Sequence, residues 1–140
     1  MFRHVLVPVD MTHIDQLGRA LEVAGALAKS YGAAITYVGV TGSAPAPGAR
    51  TPEAYRAALE EFARAQGAAH GVTTHAKAFV VPDPSVETDR TLRHAVEEVG
   101  ADLVVMASHV PNVSDYVWPS HGGSLASHAQ ASVFLVRPET

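Results

Sequence analysis

The chain has 140 residues, of which 47% are apolar and 17% are charged, and it contains no cysteine. A chain of this size and composition buries enough apolar surface to fold without disulfides or metal, and it is too apolar to be disordered. The absence of cysteine excludes disulfide frameworks, thiol catalysis and cysteine-ligated zinc. No apolar run approaches the ~20 residues of a membrane span, and no signal peptide is recognisable. We therefore expect one cytoplasmic domain over residues 1–140, without membrane contact.

The charge distribution argues against a nucleic-acid partner. The formal net charge is −4, with 14 acidic residues against 10 Lys and Arg. The basic residues are scattered, and only Arg137 lies beyond residue 93. A protein that binds duplex DNA or RNA needs a clustered basic face to displace counterions. The sequence therefore predicts no nucleic-acid binding.

Strand and helix patterns alternate along the chain. Five apolar segments predict strands, at residues 2–9, 35–40, 75–81, 103–107 and 133–136. Four segments with helical periodicity lie between them, at residues 14–31, 52–66, 84–99 and 120–131. Residues 42–50 and 110–119 are expected to be loops, because they are rich in proline, glycine or polar residues.

The expected helix ends carry recognisable capping residues. Thr51 and Pro52 are typical of a helix start, and Asp83 with Pro84 repeats that pattern, while Asp10 or Thr12 could cap the first helix. Three glycines follow helical segments, where a left-handed residue is favoured: Gly32, Gly67 and Gly100.

The alternation predicts the fold class. Strands separated by single helices pair in parallel through right-handed crossovers. Strands that are apolar on both faces imply helices on both sides of the sheet. We therefore predict a doubly wound, Rossmann-like α/β domain with a five-stranded parallel sheet.

A ligand would bind at the carboxyl ends of the strands, where the winding direction changes. Strand one ends in Pro8-Val9-Asp10, strand four ends in Met106-Ala107-Ser108-His109, and the last helix begins near Ser120-His121. A helix amino terminus favours a phosphate, and an acid at the end of strand one favours ribose hydroxyls or an adenine amine. If strands one and four are neighbours, these segments line one crevice.

These segments resemble the universal stress protein family. The resemblance lies in the apolar first strand ending in Pro-x-Asp, in a fourth strand ending in small-Ser-His, and in the Ser-started helix followed by a Val-x-x-Val strand. It implies strand order 3-2-1-4-5 and a stress-response protein that binds ATP, ADP or AMP. The implied contacts to the adenine nucleotide are Pro8, Val9, Asp10, Val38, Val40, Met106, Ala107, Ser108, His109, Ser120 and His121.

The family's phosphate motif, Gly-x2-Gly-x9-Gly-Ser/Thr, is only partly present. Ser120 matches its Ser/Thr, but the three glycines are replaced by Ala107, Val110 and Pro119, and the loop is one residue shorter. Proline lacks an N–H donor, and valine disfavours a left-handed backbone. No Lys or Arg lies between residues 94 and 136, and Asp115 adds a negative charge. We therefore expect weaker ATP binding than in motif-complete members, or a preference for AMP or ADP.

The sequence favours neither a metal site nor a hydrolase triad. Among the eight histidines, His121 and His128 stand two helical turns apart, ~10.5 Å along the axis, which is too far for one metal ion. Ser120, His109 and Asp10 could converge as a hydrolase triad. However, the nearest match to a nucleophile elbow, residues 122–126, lies inside the expected last helix. We expect no metal and no enzyme activity beyond weak nucleotide hydrolysis.

The last strand raises the question of assembly. An uncovered apolar edge strand invites pairing, and the resemblance implies a homodimer through Val133, Phe134, Leu135 and Val136. The alternative function is therefore a dimeric interaction module that has lost nucleotide binding. Trp118, with Tyr116 and Val117, is expected to pack the preceding loop over the sheet, with a contact to a partner subunit as the alternative.

Overall fold

The strands form one parallel sheet. The structure, a computed structural model, describes residues 1–43, 51–108 and 130–137. The strands are β1 His4–Pro8, β2 Ala34–Gly42, β3 Thr74–Val81, β4 Leu103–Ala107 and β5 Ser132–Val136. They pair in the order β3-β2-β1-β4-β5, and every pair is parallel. The predicted doubly wound sheet and its strand order are confirmed.

Helices cover both faces of this sheet. The helices are α1 Gly18–Tyr31, α2 Pro52–His70 and α3 Pro84–Val99. Side chains of α1 and α2 share one core cluster with alternate residues of the strands, and α3 packs on the opposite face against Leu6, Val38 and Val104. Within the described segments, no helix combines the length and the apolar character that a membrane crossing requires. The fourth predicted helix, the preceding loop and Trp118 lie outside the described residues.

The predicted caps are confirmed at several helix ends. The side chain of Thr51 accepts a hydrogen bond from the amide of Ala54 (3.1 Å), and that of Asp83 accepts one from Ser85 (3.2 Å). Gly32 and Gly100 adopt left-handed φ values of 66° and 75°. These ends are determined by local chemistry, which is why the sequence identifies them.

The expected end of the second helix at Gly67 is wrong. Helix α2 continues to His70, and Gly71, with φ 68°, is its left-handed cap. Gly67 is needed for a different reason: a Cβ there would come 2.6 Å from Oγ1 of Thr74. The glycine lets the last turns of α2 approach the start of β3, where the Thr74 hydroxyl donates to the Ala63 carbonyl (2.6 Å).

The first helix begins later than expected. A single 3-10 turn spans Ile14–Gln16, and α1 starts at Gly18 with no side-chain cap on Leu17. The amide of Thr12 donates to the carboxylate of Asp10 (3.0 Å). Asp10 therefore caps the turn after β1 instead of the helix itself.

Candidate functional site

The ends of β1 and β4 lie side by side. β1 pairs with β4 through Val5 and Leu6, which face Leu103 and Val104. β1 pairs on its other side with β2, so the winding direction changes between β1 and β4. The segments ending in Asp10 and Ser108 therefore meet at the carboxyl edge, where open α/β sheets bind ligands.

The strand registers place four residues in one row across this edge. Pro8 pairs with Val38, Leu6 with Val104, and Ala107 with Val136. Extended past the last paired residues, these registers bring Val40 of β2 level with the residues that come after β1, β4 and β5, namely Asp10, Ser108 and Arg137. Because side chains alternate along a strand, Val40 and Ser108 project to the same face as Val38 and Met106, the face that α3 covers. We call these four residues the carboxyl-edge row.

Several of the expected site residues are core residues. Val9 and Val38 are fully buried, and Met106 is 1% exposed. Pro8 and Ala107 are also buried, and the amide of Val9 extends the sheet by donating to the carbonyl of Val38 (2.8 Å). A ligand at this edge would meet these residues mainly as a packed floor. Val40, Asp10 and Ser108 are only partly buried and lie at its surface.

Asp10 is held by the turn that follows it. Its Oδ1 accepts from the Thr12 hydroxyl (2.7 Å) as well as from the Thr12 amide, and its Oδ2 lies 2.9 Å from Nδ1 of His13. The carboxylate is therefore oriented by three groups, and Oδ2, which contacts only His13, can accept a further hydrogen bond. This suits a fixed acceptor for ligand hydroxyl or amine groups.

The contacts of Thr12, His13 and Asp10 do not form a nucleophilic triad. Nδ1 of His13 is the ring nitrogen that meets both the Thr12 hydroxyl (2.9 Å) and the Asp10 carboxylate. In a triad, the acid and the nucleophile bind opposite ring nitrogens. Here the Thr12 hydroxyl donates to Asp10, so its proton is directed to the carboxylate and not to the imidazole.

Ser108 offers an unused hydrogen-bonding group. Its amide extends the β4–β5 pairing by donating to the Val136 carbonyl (2.9 Å). Its Oγ atom is buried and has no hydrogen-bond partner among the described residues. A buried hydroxyl without a partner is unfavourable, and a ligand oxygen at this edge would satisfy it. The edge thus fits a ligand with both hydroxyl groups and acceptor oxygens.

The structure also brings cations to this edge that the sequence reasoning did not connect with it. Nη1 of Arg19, in the first turn of α1, donates to the carbonyl oxygen of Arg137 (3.1 Å). Arg137 follows β5 and belongs to the carboxyl-edge row. Arg19 lies far in sequence from the stretch between residues 94 and 136 that lacks Lys and Arg, and it reaches the edge from α1. Its position in the helix after the first strand was the available signal.

Three expected ligand contacts, His109, Ser120 and His121, lie outside the described residues, as do most of the residues expected to form the phosphate loop. Among residues 1–43, 51–108 and 130–137, no group of three or more His, Asp or Glu side chains is arranged to hold a metal ion.

Comparison with known families identifies one match. The model of the universal stress protein family matches residues 1–137, which is nearly the whole chain.

Solved structures with the same fold include proteins from distant organisms. A universal stress protein family member from Burkholderia pseudomallei is 23% identical, with a TM-score of 0.66 over 97% of this chain and 96% of that one. A family member from Arabidopsis thaliana with AMP bound is 19% identical, with a TM-score of 0.70 over 99% and 93% of the two chains. The universal stress protein from Archaeoglobus fulgidus in complex with dAMP is 17% identical, with a TM-score of 0.67 over 95% and 96%.

Proposed function

The chain belongs to the universal stress protein family, and on that premise we propose that it is a stress-response protein that binds an adenine nucleotide at the carboxyl edge of β1 and β4. The observation that carries this proposal is the carboxyl-edge row, which sets four groups in sequence along the carboxyl ends of four strands: an apolar side chain, a carboxylate, a buried hydroxyl with no partner among the described residues, and a guanidinium. The AMP and dAMP complexes of the two relatives support the ligand class.

The order of groups in the row suggests how the ligand lies. The adenine packs at the Val40 end, where the surface is apolar. The ribose hydroxyls donate to Asp10, whose carboxylate is held in place by Thr12 and His13. The phosphate accepts from Ser108 and approaches Arg137. His109, Ser120 and His121 remain predicted contacts on the phosphate side.

The small number of cations at this edge favours a nucleotide with one or two phosphates over one with three. Arg19 and Arg137 are the cations that the described residues bring to the β4–β5 side. Ala107, Val110 and Pro119 stand where the family motif has glycines, so the backbone can approach a phosphate less closely. Pro119 also lacks the N–H donor that a glycine would supply. We infer a preference for AMP or ADP over ATP.

A second candidate function rests on the outer edge of β5. Phe134 and Leu135 are 44% and 46% exposed on an edge strand. Exposed apolar groups on an open edge favour pairing with another chain. We infer a homodimer through Val133, Phe134, Leu135 and Val136. In the alternative function, this dimer is an interaction module that acts through partner contact and binds no nucleotide.

Calorimetric titration separates these functions. AMP is titrated into the wild-type protein, into Asp10→Asn and into Asp15→Asn, a matched control on an exposed acid of the 3-10 turn that follows. We expect binding to the wild type, at least ten-fold weaker binding to Asp10→Asn, and no change in Asp15→Asn. Asparagine keeps one acceptor oxygen for the turn, and a melting curve verifies that the variant folds. If AMP gives no heat of binding with the wild type, and the denatured protein releases no nucleotide, nucleotide binding is rejected. The dimeric interaction module is then the remaining function.

A further inference from the structure

At the other edge of the sheet, β3 pairs with no further strand among the described residues, and it presents a row of backbone groups. The amide of Ile35 donates to the Thr73 carbonyl (2.9 Å), and the amide of Ser43 donates to the Val81 carbonyl (3.1 Å). Odd-numbered residues of this segment thus direct their backbone groups towards β2. Backbone direction alternates along a strand, so the N–H and C=O groups of the even-numbered residues point outward: Thr74, Ala76, Ala78 and Val80. Such a row can pair with another strand.

A groove runs beside this edge, beneath α2. It consists of two adjoining cavities of ≈ 390 and ≈ 320 Å³, which share Glu60 and Ala76. Small residues leave the space open: Ala63 and Gly67 on α2, and Ala76 and Ala78 on β3. The even-numbered residues of β3 that line it are those with outward backbone groups. A strand added to β3 would therefore place alternate side chains in the groove.

The helix side of the groove carries an alternating charge pattern. Arg56, Glu60 and Arg64 are each four residues apart and so share one face of α2. Glu60 lines both cavities, Arg56 lines the cavity with Ala78, and Arg64 lines the one with Thr74. α2 therefore runs antiparallel to β3, and it presents a basic, an acidic and a basic side chain in turn along the groove.

The spacing of these charges matches that of a strand. Four residues of helix advance about 6 Å, and two residues of strand advance about 6.6 Å. Each charge on α2 thus meets the next groove-facing position of an added strand. Arg64 already contacts Glu61, but these side chains are 70% and 63% exposed. A surface ion pair of this kind contributes little and can exchange partners.

We propose that the β3 edge binds an extended peptide strand from another protein whose groove-facing side chains are acidic, basic and acidic at alternate positions. The backbone bonds supply affinity, and the charges on α2 select the sequence, as in other cases of strand addition. A second copy of this chain fits less well, because its β3 would present Thr74, Ala76, Ala78 and Val80 on that face and no charge.

The test compares two labelled peptides by fluorescence anisotropy at physiological salt. One contains Glu-Val-Lys-Val-Glu and the other Lys-Val-Glu-Val-Lys, with identical polar flanks. Both charge patterns are palindromic, so the direction of the added strand does not matter. We expect the first to bind at least five-fold more tightly. Equal affinities, or binding of neither peptide, would overturn the proposal.

Two variants locate the interaction. The triple variant Arg56→Glu, Glu60→Lys, Arg64→Glu should reverse the preference, whereas Arg93→Glu, which lowers the net charge equally from α3, should not. Ala78→Pro removes one outward N–H donor, so the binding of both peptides should weaken at least ten-fold. The variant should still fold, because proline is tolerated at edge positions whose N–H faces solvent. A retained preference in the triple variant, or unaltered binding in a folded Ala78→Pro protein, contradicts the assignment.

Discussion

The hydroxyl of Tyr55 occupies the space where a side chain on Gly39 would begin. An ideal Cβ on Gly39 would lie 2.2 Å from the Tyr55 oxygen and 3.0 Å from Cζ. Tyr55 belongs to the first turn of α2, and Gly39 precedes Val40 at the carboxyl half of β2. The glycine thus sets how closely α2 approaches the sheet beside the carboxyl-edge row.

Gly39→Ala should destabilise the protein by about 1–3 kcal/mol, the usual cost of overpacking a core. Tyr55→Phe in the same chain should recover part of this loss, because it removes the nearest atom. Gly18→Ala is the control, since a Cβ there meets nothing within 4 Å. Urea denaturation measures the free energy of unfolding, and a Gly39→Ala protein as stable as the wild type would contradict the packing argument.

The protonation of His4 should make stability depend on pH. Burial lowers the pKa of His4 below its usual 6.5, nearby His75 lowers it further, and Asp102 opposes the shift. Nε2 of His4 lies 2.6 Å from the buried Thr36 hydroxyl. The unfolded chain thus binds the proton more readily, so the stability contribution is present above about pH 6.5 and is lost as pH falls towards the lower folded value.

The measurement is the denaturation midpoint between pH 5 and pH 8. Stability of the wild type should fall below about pH 6.5, and His4→Gln should fall less steeply. His94→Gln serves as the control, because the His94 side chain is 64% exposed. Parallel pH profiles for the wild type and His4→Gln would show that His4 is not responsible.

The phosphate preference can be tested at Arg137. If Arg137 meets the phosphate, Arg137→Gln should weaken AMP binding roughly ten-fold and leave adenosine binding unchanged, since a charge-assisted hydrogen bond contributes ~1.5–3 kcal/mol. ATP should bind the wild type no more tightly than AMP. Arg3→Gln, at the amino end of β1, is the control. Sub-micromolar ATP affinity would refute the expected preference, and an equal loss for adenosine would place Arg137 away from the phosphate.

The homodimer can be tested by a proline on β5. Ser132 donates to the Asp102 carbonyl (3.0 Å) and Val136 accepts from Ser108 (2.9 Å), so even-numbered residues of β5 face β4. Leu135 therefore directs its N–H outward, and Leu135→Pro should give monomers without breaking the sheet. Val136→Pro is a poorer test, because its N–H faces β4. Light scattering measures the molecular mass, and a dimeric Leu135→Pro protein would exclude this interface.

Much of the fold follows from local sequence signals. The strand segments, the caps at Thr51 and Asp83 and the glycines after α1 and α3 are each recognised from neighbouring residues in the chain. The Pro8–Asp10 and Met106–Ser108 segments could be assigned to one edge because parallel strands share a direction. The contacts expected of His109, Ser120 and His121 stay predictions.

The sequence by itself determined the order of the described elements, the parallel sheet and the two strand ends, those of β1 and β4, that meet at its carboxyl edge, because hydrophobic periodicity and capping act over a few residues. Only the tertiary structure decided that Gly67 and Gly39 serve close approach, that Arg19 reaches the end of β5, and which N–H groups of the two edges face outward. Each of these depends on contacts between segments far apart in the chain or on the pairing of a strand with its neighbour. Such contacts leave no local pattern, so the grooves and edges that a partner would meet appear only once the sheet is assembled.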